Sequence, residues 1–338
     1  MDPKPPRPYP LYNTTFTLHR LSPLYTGSSA ALDNASLQQY AKSIRETLVG
    51  EVLRGVRVGL GSDEDTLARV GALQNVVWQL LPKEDAWDRE GDVEEESALL
   101  VSASHGILVN IVYEKANYSA ILLRSGNRED GDSLMENGNG EFEHFPLLLM
   151  RMPGSLKETF TAFLSSTFDT RVSMFNLGKG YLTATLEQYI LDCSTEESGE
   201  AMDIERTSRI LRSIIKDVQI VIGFDLPNGA SLKAIDILIN KEDFARLATR
   251  TSGNERQSPL MAAISNYIKK HLALELGHEN VKILKVACGA FVLGSEGKIK
   301  ITELRDGDDN IQDRATWNLI NNLVDLAKGS GMGNGTHG

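Results

Sequence analysis

The chain has 338 residues and a hydrophobic content of 41%, enough for one large domain or two of ordinary size. Its formal net charge is -11, and no apolar run approaches the ~18 residues that span a bilayer, so the sequence predicts no membrane-spanning segment. Cys193 and Cys288 are the only cysteines. They are too few for a disulfide framework, and they predict free thiols in the cytoplasm or nucleus.

Three acidic stretches carry more than the whole net charge. Residues 82–97 and 192–205 each have a net charge of -6, and residues 126–145 have -5, which leaves +6 for the rest of the chain. Their glycine, serine, asparagine and charged residues predict solvated loops. The folded body is therefore expected to be mildly basic, which permits a surface that faces phosphate groups.

Strand and helix periodicities follow one another through the first half of the chain. Residues 1–10 form a proline-rich polar leader without a hydrophobic segment, which we predict to be disordered and not a secretion signal. The predicted elements are a strand at 12–21, a helix from Ser36 to Val52 with Ser36 as its N-cap, a helix at 65–81, strands at 99–101, 107–113, 118–123 and 146–152, a helix that begins at the capping box Ser155–Glu158, and a strand at 181–191.

The second half contains similar elements. Asn228-Gly229 is a strong turn signal, and it predicts a β-hairpin between strands at 218–224 and 232–239. The other predicted elements are helices at 204–216, 242–248, 260–276 and 312–328, and strands at 281–286, 289–293 and 298–304 that form a C-terminal β-meander. Residues 329–338 predict a flexible tail.

The strands occur mostly as hairpins and do not alternate strictly with helices. The sequence therefore predicts an α+β fold, with antiparallel or mixed sheets packed with helices. We predict an N-terminal α+β unit at 11–191 and a C-terminal α+β unit at 206–328, joined by an acidic linker at 192–205.

No catalytic constellation is found in the sequence. It contains no nucleophile elbow, no P-loop and no HExxH motif, and its six histidines are interpreted as structural or exposed. We therefore predict no catalytic residue, no metal site and no cofactor. An enzyme whose site is assembled from distant segments, for example His105, Asp192 and Ser194, stays open as an alternative.

Basic residues form three groupings outside the acidic stretches. They are Arg54 and Arg57; Arg206, Arg209, Arg212 and Lys216; and Lys269, Lys270, Lys282 and Lys285, with Lys298 and Lys300 nearby. The second grouping has the spacing of one helix stripe, where four cations repel one another unless an anion meets them. Each grouping is either a solvated charged face or a surface that binds phosphate.

The C-terminal β-meander combines an apolar strand, Ala287–Leu293, with a strand in which Lys298 and Lys300 alternate with isoleucines. A meander at this position is either capped within the chain or pairs with a partner by sheet extension. The pattern alone leaves both interpretations open.

Two segments carry a family resemblance. Residues Phe16–Tyr25 (FTLHRLSPLY) place an aromatic residue, a short Thr-Leu strand and a Ser-Pro-Leu-Tyr turn in succession, and residues Val218–Ala248 place a hairpin before a short helix. Both are similar to the CENP-L family, and the C-terminal meander also fits. The resemblance implies a non-enzymatic inner-kinetochore subunit of the constitutive centromere-associated network, in the nucleus at the centromere.

The resemblance also implies partners and binding residues. The partner would be a CENP-N-like protein, bound as a heterodimer through the C-terminal β-strands, and the isolated chain would be a monomer or a homodimer formed through the same surface. Its residues within 281–304 would be Val281, Ile283, Phe291, Leu293, Ile299 and Ile301. The pair would help hold the centromeric nucleosome together with other inner-kinetochore subunits. Non-specific DNA contact would come from Arg206, Arg209, Arg212, Lys216, Lys269 and Lys270. The alternative is a cytoplasmic protein–protein adaptor outside chromatin.

Overall fold

The structure is a computed structural model that describes residues 8–27, 32–53, 70–87, 104–125, 141–178, 180–225, 232–250, 259–303 and 309–329. Several predictions fall on other residues. The strand at 99–101, the turn Asn228-Gly229, the basic pair Arg54 and Arg57, and most of the leader, the tail and the acidic stretches 82–97 and 126–145 lie outside the described residues.

Two compact units make up the chain. The first unit consists of Met1–Pro10, Phe16–Phe175 and Asn321–Gly338, and the second unit consists of Leu11–Thr15 and Asn176–Ile320. The stretch 192–205, predicted to link two units, lies within the second unit.

The first unit has three described helices of its own, α1 (Asn34–Leu53), α2 (Glu84–Trp87) and α3 (Gly154–Phe168). Its strands are β1 (Thr15–Leu21), β2 (Leu24–Tyr25), β3 (Leu73–Leu81), β4 (Gly106–Tyr113), β5 (Asn117–Leu123), β6 (Phe142–Glu143), β7 (Leu147–Arg151) and β8 (Val172–Met174). The main sheet is antiparallel in the order β1-β7-β5-β4-β3, β8 pairs with β1, and β2 pairs separately with β6.

Most residues of β4, β5 and β7 are buried on both faces of this sheet. On one face, Trp78 of β3 is packed among the rings of Phe160, Phe163 and Phe168, which belong to α3, and α1 contributes Leu37 and other buried residues to the same cluster. Nearly continuous apolar runs are typical of strands that are covered on both sides.

The second unit contains α4 (Tyr181–Cys193), α5 (Ile204–Ile210), α6 (Lys241–Arg250), α7 (Pro259–Leu272) and the larger part of α8 (Asp309–Lys328). A π-helical turn, Leu211–Ile215, follows α5. The strands are β9 (Val218–Phe224), β10 (Ala234–Ile239), β11 (Val281–Ala287), β12 (Phe291–Gly294) and β13 (Lys298–Ile301).

The strands of the second unit form an antiparallel sheet in the order β10-β9-β11-β12-β13. Beyond β13, Tyr12 forms a single parallel bridge with Ile301. The predicted hairpin at 218–239 and the predicted C-terminal meander are both present. With helices packed on antiparallel sheets, the α+β prediction is confirmed.

Two predicted elements are wrong. Residues 73–81, predicted as the end of a helix, form β3, in which Val76 and Trp78 alternate into the core as β-branched and aromatic residues do in strands. Residues 181–191, predicted as a strand, form α4. Its buried residues recur at helical spacing, at Leu182, Thr185, Leu186, Tyr189, Ile190 and Cys193.

Two predicted helix caps also differ from the structure. The carboxylate of Asp33, and not the side chain of Ser36, caps α1, because Oδ1 of Asp33 accepts a hydrogen bond from the backbone nitrogen of Ser36 at 2.8 Å. The N-cap position of α3 is Pro153, so the predicted capping box, which starts two residues later at Ser155, does not begin that helix.

Candidate functional site

The residues predicted to bind a partner lie on the inner face of the second unit's sheet. They are Val281, Ile283, Phe291, Leu293, Ile299 and Ile301. All except the half-buried Ile283 are at most 4% exposed. The ring of Phe291 stands edge-on to Tyr189 of α4, with 5.0 Å between ring centroids. These side chains therefore hold the meander against the chain's own helices and do not face solvent.

Strand alternation explains this placement. In β9, Val218, Ile220 and Ile222 are buried while Gln219 and Val221 between them are half-buried. Cross-strand pairing extends the same two faces through the sheet, for example by pairing Ile220 with Val286 of β11. Successive residues of a strand point to opposite faces, so the inner face of every strand takes part in the core.

The opposite face of the sheet, which we call the open face, mixes lysine and apolar side chains. It consists of Gln219, Val221, Asp236, Leu238, Lys282, Leu284, Lys285, Val292, Lys298 and Lys300. The exposed fraction is 66% for Leu238 and 37% for Leu284. One row of paired residues crosses all five strands, namely Asp236, Val221, Lys285, Gly294 and Lys298.

A β-bulge places Leu284 on the open face. The register between β9 and β11 shifts between Ile283 and Lys285, which leaves Leu284 as the additional residue. Its side chain lies over Gly223, where an added Cβ would come within 2.6 Å of the Leu284 Cδ1 atom. Glycine at position 223 therefore gives Leu284 room to lie against the sheet.

The lysines of the open face are only partly compensated by carboxylates. Lys282 pairs with Asp225, and Lys298 Nζ lies 2.7 Å from Glu296 Oε1. Lys285 Nζ donates to Gln219 Oε1 at 2.9 Å, and the amide of Gln219 in turn donates to Asp236.

Lys300 is half-buried, and the described part of the chain contains no carboxylate within ion-pair distance of it. The open face thus has four lysines and three nearby carboxylates.

A groove with a cavity volume of about 610 Å³ follows the open face along β12 and β13. Leu284, Lys285, Val292 and Lys300 contribute to its lining, and Gly294 contributes no side chain between Lys285 and Lys298. Apolar and cationic groups together can accommodate a polypeptide segment that carries apolar and acidic side chains.

The helix stripe predicted to bind DNA is paired with the chain's own carboxylates. Arg206 lies 2.5 Å from Glu196, and Arg212 lies 2.8 Å from Glu242 of α6. Among the other predicted residues, Lys269 pairs with Glu275 at 3.0 Å. Ion pairs of exposed side chains are worth only about 0–1 kcal/mol and can exchange for phosphate, but they reduce the local positive potential.

The remaining predicted cations, Arg209, Lys216 and Lys270, are exposed. Within the described residues, none of them forms an ion pair. They are therefore the members of the predicted set whose charge is most available to an external phosphate.

Two residues of the alternative enzymatic site, Asp192 and Ser194, form local contacts within one helix. His105 belongs to the first unit, whereas Asp192 and Ser194 are at the end of α4 in the second unit. Ser194 Oγ donates to the carbonyl of Ile190 at 2.7 Å, and Asp192 Oδ1 accepts from the Gln188 amide at 2.9 Å. Both bonds are local helix contacts.

The thiols are not activated. Both cysteines are free, and burial raises the pKa of the Cys288 thiol to about 11 and raises that of Cys193 further. A protonated thiol is a weak nucleophile and a poor metal ligand. The described residues contain no group of three or more His, Cys, Asp or Glu side chains that could hold a metal ion. They also contain no helix that is both long and apolar enough to cross a membrane.

The sequence pattern located the strands of this site and named the lysines of the open face as a basic grouping, but it assigned the partner contact to residues of the inner face. Leu284, Val292 and Lys300 are neighbours in sequence of the predicted isoleucines and leucines, and alternation assigns them to the opposite face. The alternation of lysine and isoleucine in Lys298–Ile301 indicates that the isoleucines face the core and that the lysines lie on the opposite face.

Comparison with known proteins identifies one family. The family model described as CENP-L, centromere protein L, matches residues 10–328 of the chain, nearly its whole length. No curated protein matches the chain.

Proposed function

The chain belongs to the CENP-L family of centromere proteins, and we propose that it is a non-enzymatic scaffold subunit that pairs with a CENP-N-like partner at the centromere. Membership of this family implies a kinetochore subunit. In this proposal the pair helps attach the inner kinetochore to centromeric nucleosomes in the nucleus, in contact with other inner-kinetochore subunits.

One observation favours the second unit as the pairing surface. Its sheet is covered on the inner face by its own helices, while apolar side chains remain exposed on the open face, above all Leu238 and Leu284. An antiparallel sheet with one apolar face in the core and one accessible face suits a subunit that binds through the accessible side.

Sheet extension is restricted by the strand order. Strands β11 and β12 each have hydrogen-bonded neighbours on both edges, so a partner strand cannot add to either of them. We propose that a segment of the partner instead occupies the groove along the open face.

The buried residues named from the sequence then stabilise the strands that carry the interface. Phe291 and Ile299 fix β12 and β13 to the helices, while Leu284, Val292 and Lys300 make the contact. A substitution of Phe291 or Ile299 by aspartate would therefore unfold the second unit and would not report on pairing alone.

Co-expression with the C-terminal domain of CENP-N, followed by size-exclusion chromatography with light scattering, tests the pairing. We expect a one-to-one complex for the wild type and none for the double variant Leu284→Glu, Val292→Glu. The matched control is Ile204→Glu, which changes an equally apolar residue, 69% exposed at the start of α5. Circular dichroism must show that every variant is folded.

Loss of the complex in the double variant alone supports the open face as the interface. A complex that the double variant retains contradicts that surface, and no association of the folded wild-type proteins contradicts the pairing itself.

For DNA contact we propose the exposed cations Arg209, Lys216 and Lys270. No recognition module is evident, so binding would be non-specific and would weaken steeply as salt rises. The triple glutamate variant should bind a duplex more weakly and with a shallower salt dependence than the wild type. Unchanged binding at low salt would remove these residues from the interface.

A further inference from the structure

A basic pocket lies in the first unit, whereas the residues used in the proposals above belong to the second unit. Its cavity volume is about 410 Å³, and Arg20, Arg171, His144 and Lys328 contribute to its lining. No aspartate or glutamate is among the described residues that line it. Apolar walls come from Phe145 and from neighbouring proline and leucine residues.

Strand register brings the two arginines to the same side. Arg20 of β1 pairs directly with Ser173 of β8, so their side chains share one face of the ladder. Arg171 and Phe175 are each two residues from Ser173, and alternation assigns them to that face as well. The guanidinium of Arg20 indeed lies over the ring of Phe175, 4.6 Å from its centroid.

The backbone beneath the pocket is held by a network of hydrogen bonds. Ser22 Oγ accepts from the backbone nitrogen of Arg171 at 2.8 Å, and the backbone nitrogen of Ser22 donates to the carbonyl of Arg171 at 3.0 Å. Thr170 Oγ1 donates to the carbonyl of Ser22 at 2.7 Å. Arg171 therefore projects from a fixed backbone, and the ring of Phe175 restrains Arg20, which reduces the entropy lost when an anion binds.

Asp169, two residues before Arg171, does not line the pocket, and the acidic side chains near His144 and Lys328 are engaged with other groups. Glu143, beside His144, lies 3.7 Å from Arg124. Asp325, three residues before Lys328, accepts a hydrogen bond from Ser125 at 3.2 Å. The pocket thus has two exposed guanidinium groups, and no carboxylate is among its described lining residues. This arrangement suits a doubly charged anion.

We propose that this pocket binds the phosphate of a phosphoserine or phosphothreonine in a partner polypeptide. Planar guanidinium groups bind phosphate oxygens in pairs. The cavity has more room than the phosphate alone needs, and its apolar walls can contact the carbon atoms that carry it.

Two features favour a polypeptide over a nucleic acid. The cations surround one pocket, whereas a duplex presents a row of phosphates and is bound by a row of cations along a surface. Ser173, which lines the pocket, belongs to β8, and the described strands pair with β8 only through β1. Within the described residues the other edge of β8 has no strand partner, so an extended peptide can pair there, and Met174 beside Ser173 is 66% exposed.

The test uses the full chain and two peptide libraries, identical except that one has phosphoserine and the other serine at the central position. Fluorescence anisotropy should show binding of the phosphoserine library at least roughly tenfold tighter than that of the serine library, because charge-assisted hydrogen bonds would be lost. The double variant Arg20→Gln, Arg171→Gln should abolish this difference. Arg171→Lys should retain part of it, since lysine keeps the charge and loses the paired geometry.

Arg151→Gln is the matched control, because Arg151 is exposed in the same unit, at the end of β7, and does not line the pocket. It should bind like the wild type. Equal affinity for both libraries would overturn the proposal. A short DNA duplex that displaces the phosphopeptides, and that binds less well to the double variant, would assign the pocket to nucleic acid instead. The pocket and the open face are in different units, so either failure leaves the pairing proposal unaffected.

Discussion

The central strands of the first unit and the meander of the second unit bury their residues in different ways. In β4, β5 and β7 both faces are buried, whereas in β11, β12 and β13 buried and accessible residues largely alternate. The first sheet therefore has no large face to offer a partner along its central strands. The second sheet buries one face against its own helices and leaves apolar and cationic side chains accessible on the other.

The largest expected difference in stability is between substitutions on the two faces of the meander. Phe291 is fully buried against Tyr189, so Phe291→Ala should lower the free energy of unfolding of the second unit by about 3–5 kcal/mol. Val292→Ala, one residue away on the open face, should cost less than about 1 kcal/mol. Denaturant unfolding followed by circular dichroism measures both, and equal costs would contradict the assignment of faces.

The stability of the first unit should depend on pH, because a histidine is buried in its sheet. His19 of β1 is 4% exposed, and burial, together with the charge of Lys157 on α3, lowers its pKa to about 4. The unfolded chain takes up this proton near pH 6.5, so it binds more protons than the folded chain between pH 6.5 and 4. The contribution of neutral His19 to the free energy of unfolding is therefore fully present above pH 6.5, and it is lost as the pH falls towards 4.

The variant His19→Gln isolates this contribution. Thermal unfolding from pH 7 to pH 4 should show a smaller decrease in Tm for the variant than for the wild type. If Tm decreases equally in the two proteins, then proton uptake by His19 on unfolding does not contribute to the loss of stability.

A smaller effect is expected at a helix cap in the second unit. Asp203 caps α5 by accepting a hydrogen bond from the backbone nitrogen of Arg206 at 2.9 Å. Asp203→Ala should therefore lower the free energy of unfolding by about 1 kcal/mol, and Asp203→Ser, which keeps a capping oxygen, should restore most of it. If alanine and serine behave alike in denaturant unfolding, the cap is not what stabilises this helix.

Local signals explain which parts of this fold the sequence could predict. The hairpin at 218–239 and the meander follow from alternation between turns, and both are present. Residues 73–81 were predicted as a helix because their leucines and valines also fit helical spacing, and only packing of Trp78 against α3 decides for a strand. In α4 the spacing of Leu182, Leu186 and Tyr189 fits a helix, which the structure shows, although the segment is predicted as a strand.

The candidate site shows a second limit. Alternation divides the residues of β12 and β13 between two faces, and it correctly groups Phe291 with Leu293 and Ile299 with Ile301. In β13 the alternation of lysine with isoleucine also indicates that the isoleucines face the core, but no local signal predicts that Phe291 contacts Tyr189 of α4, about a hundred residues earlier in the chain. The pocket at Arg20 and Arg171 depends likewise on pairing between distant strands.

Lysine footprinting in the presence and absence of the CENP-N C-terminal domain tests the central claim most directly. Acetylation of exposed amines, quantified by mass spectrometry, should fall at Lys285, Lys298 and Lys300 when the partner is bound, and should stay unchanged at Lys270 of α7. Protection of Lys270 without protection of the three open-face lysines, in a complex of confirmed one-to-one stoichiometry, would contradict the open face as the pairing surface.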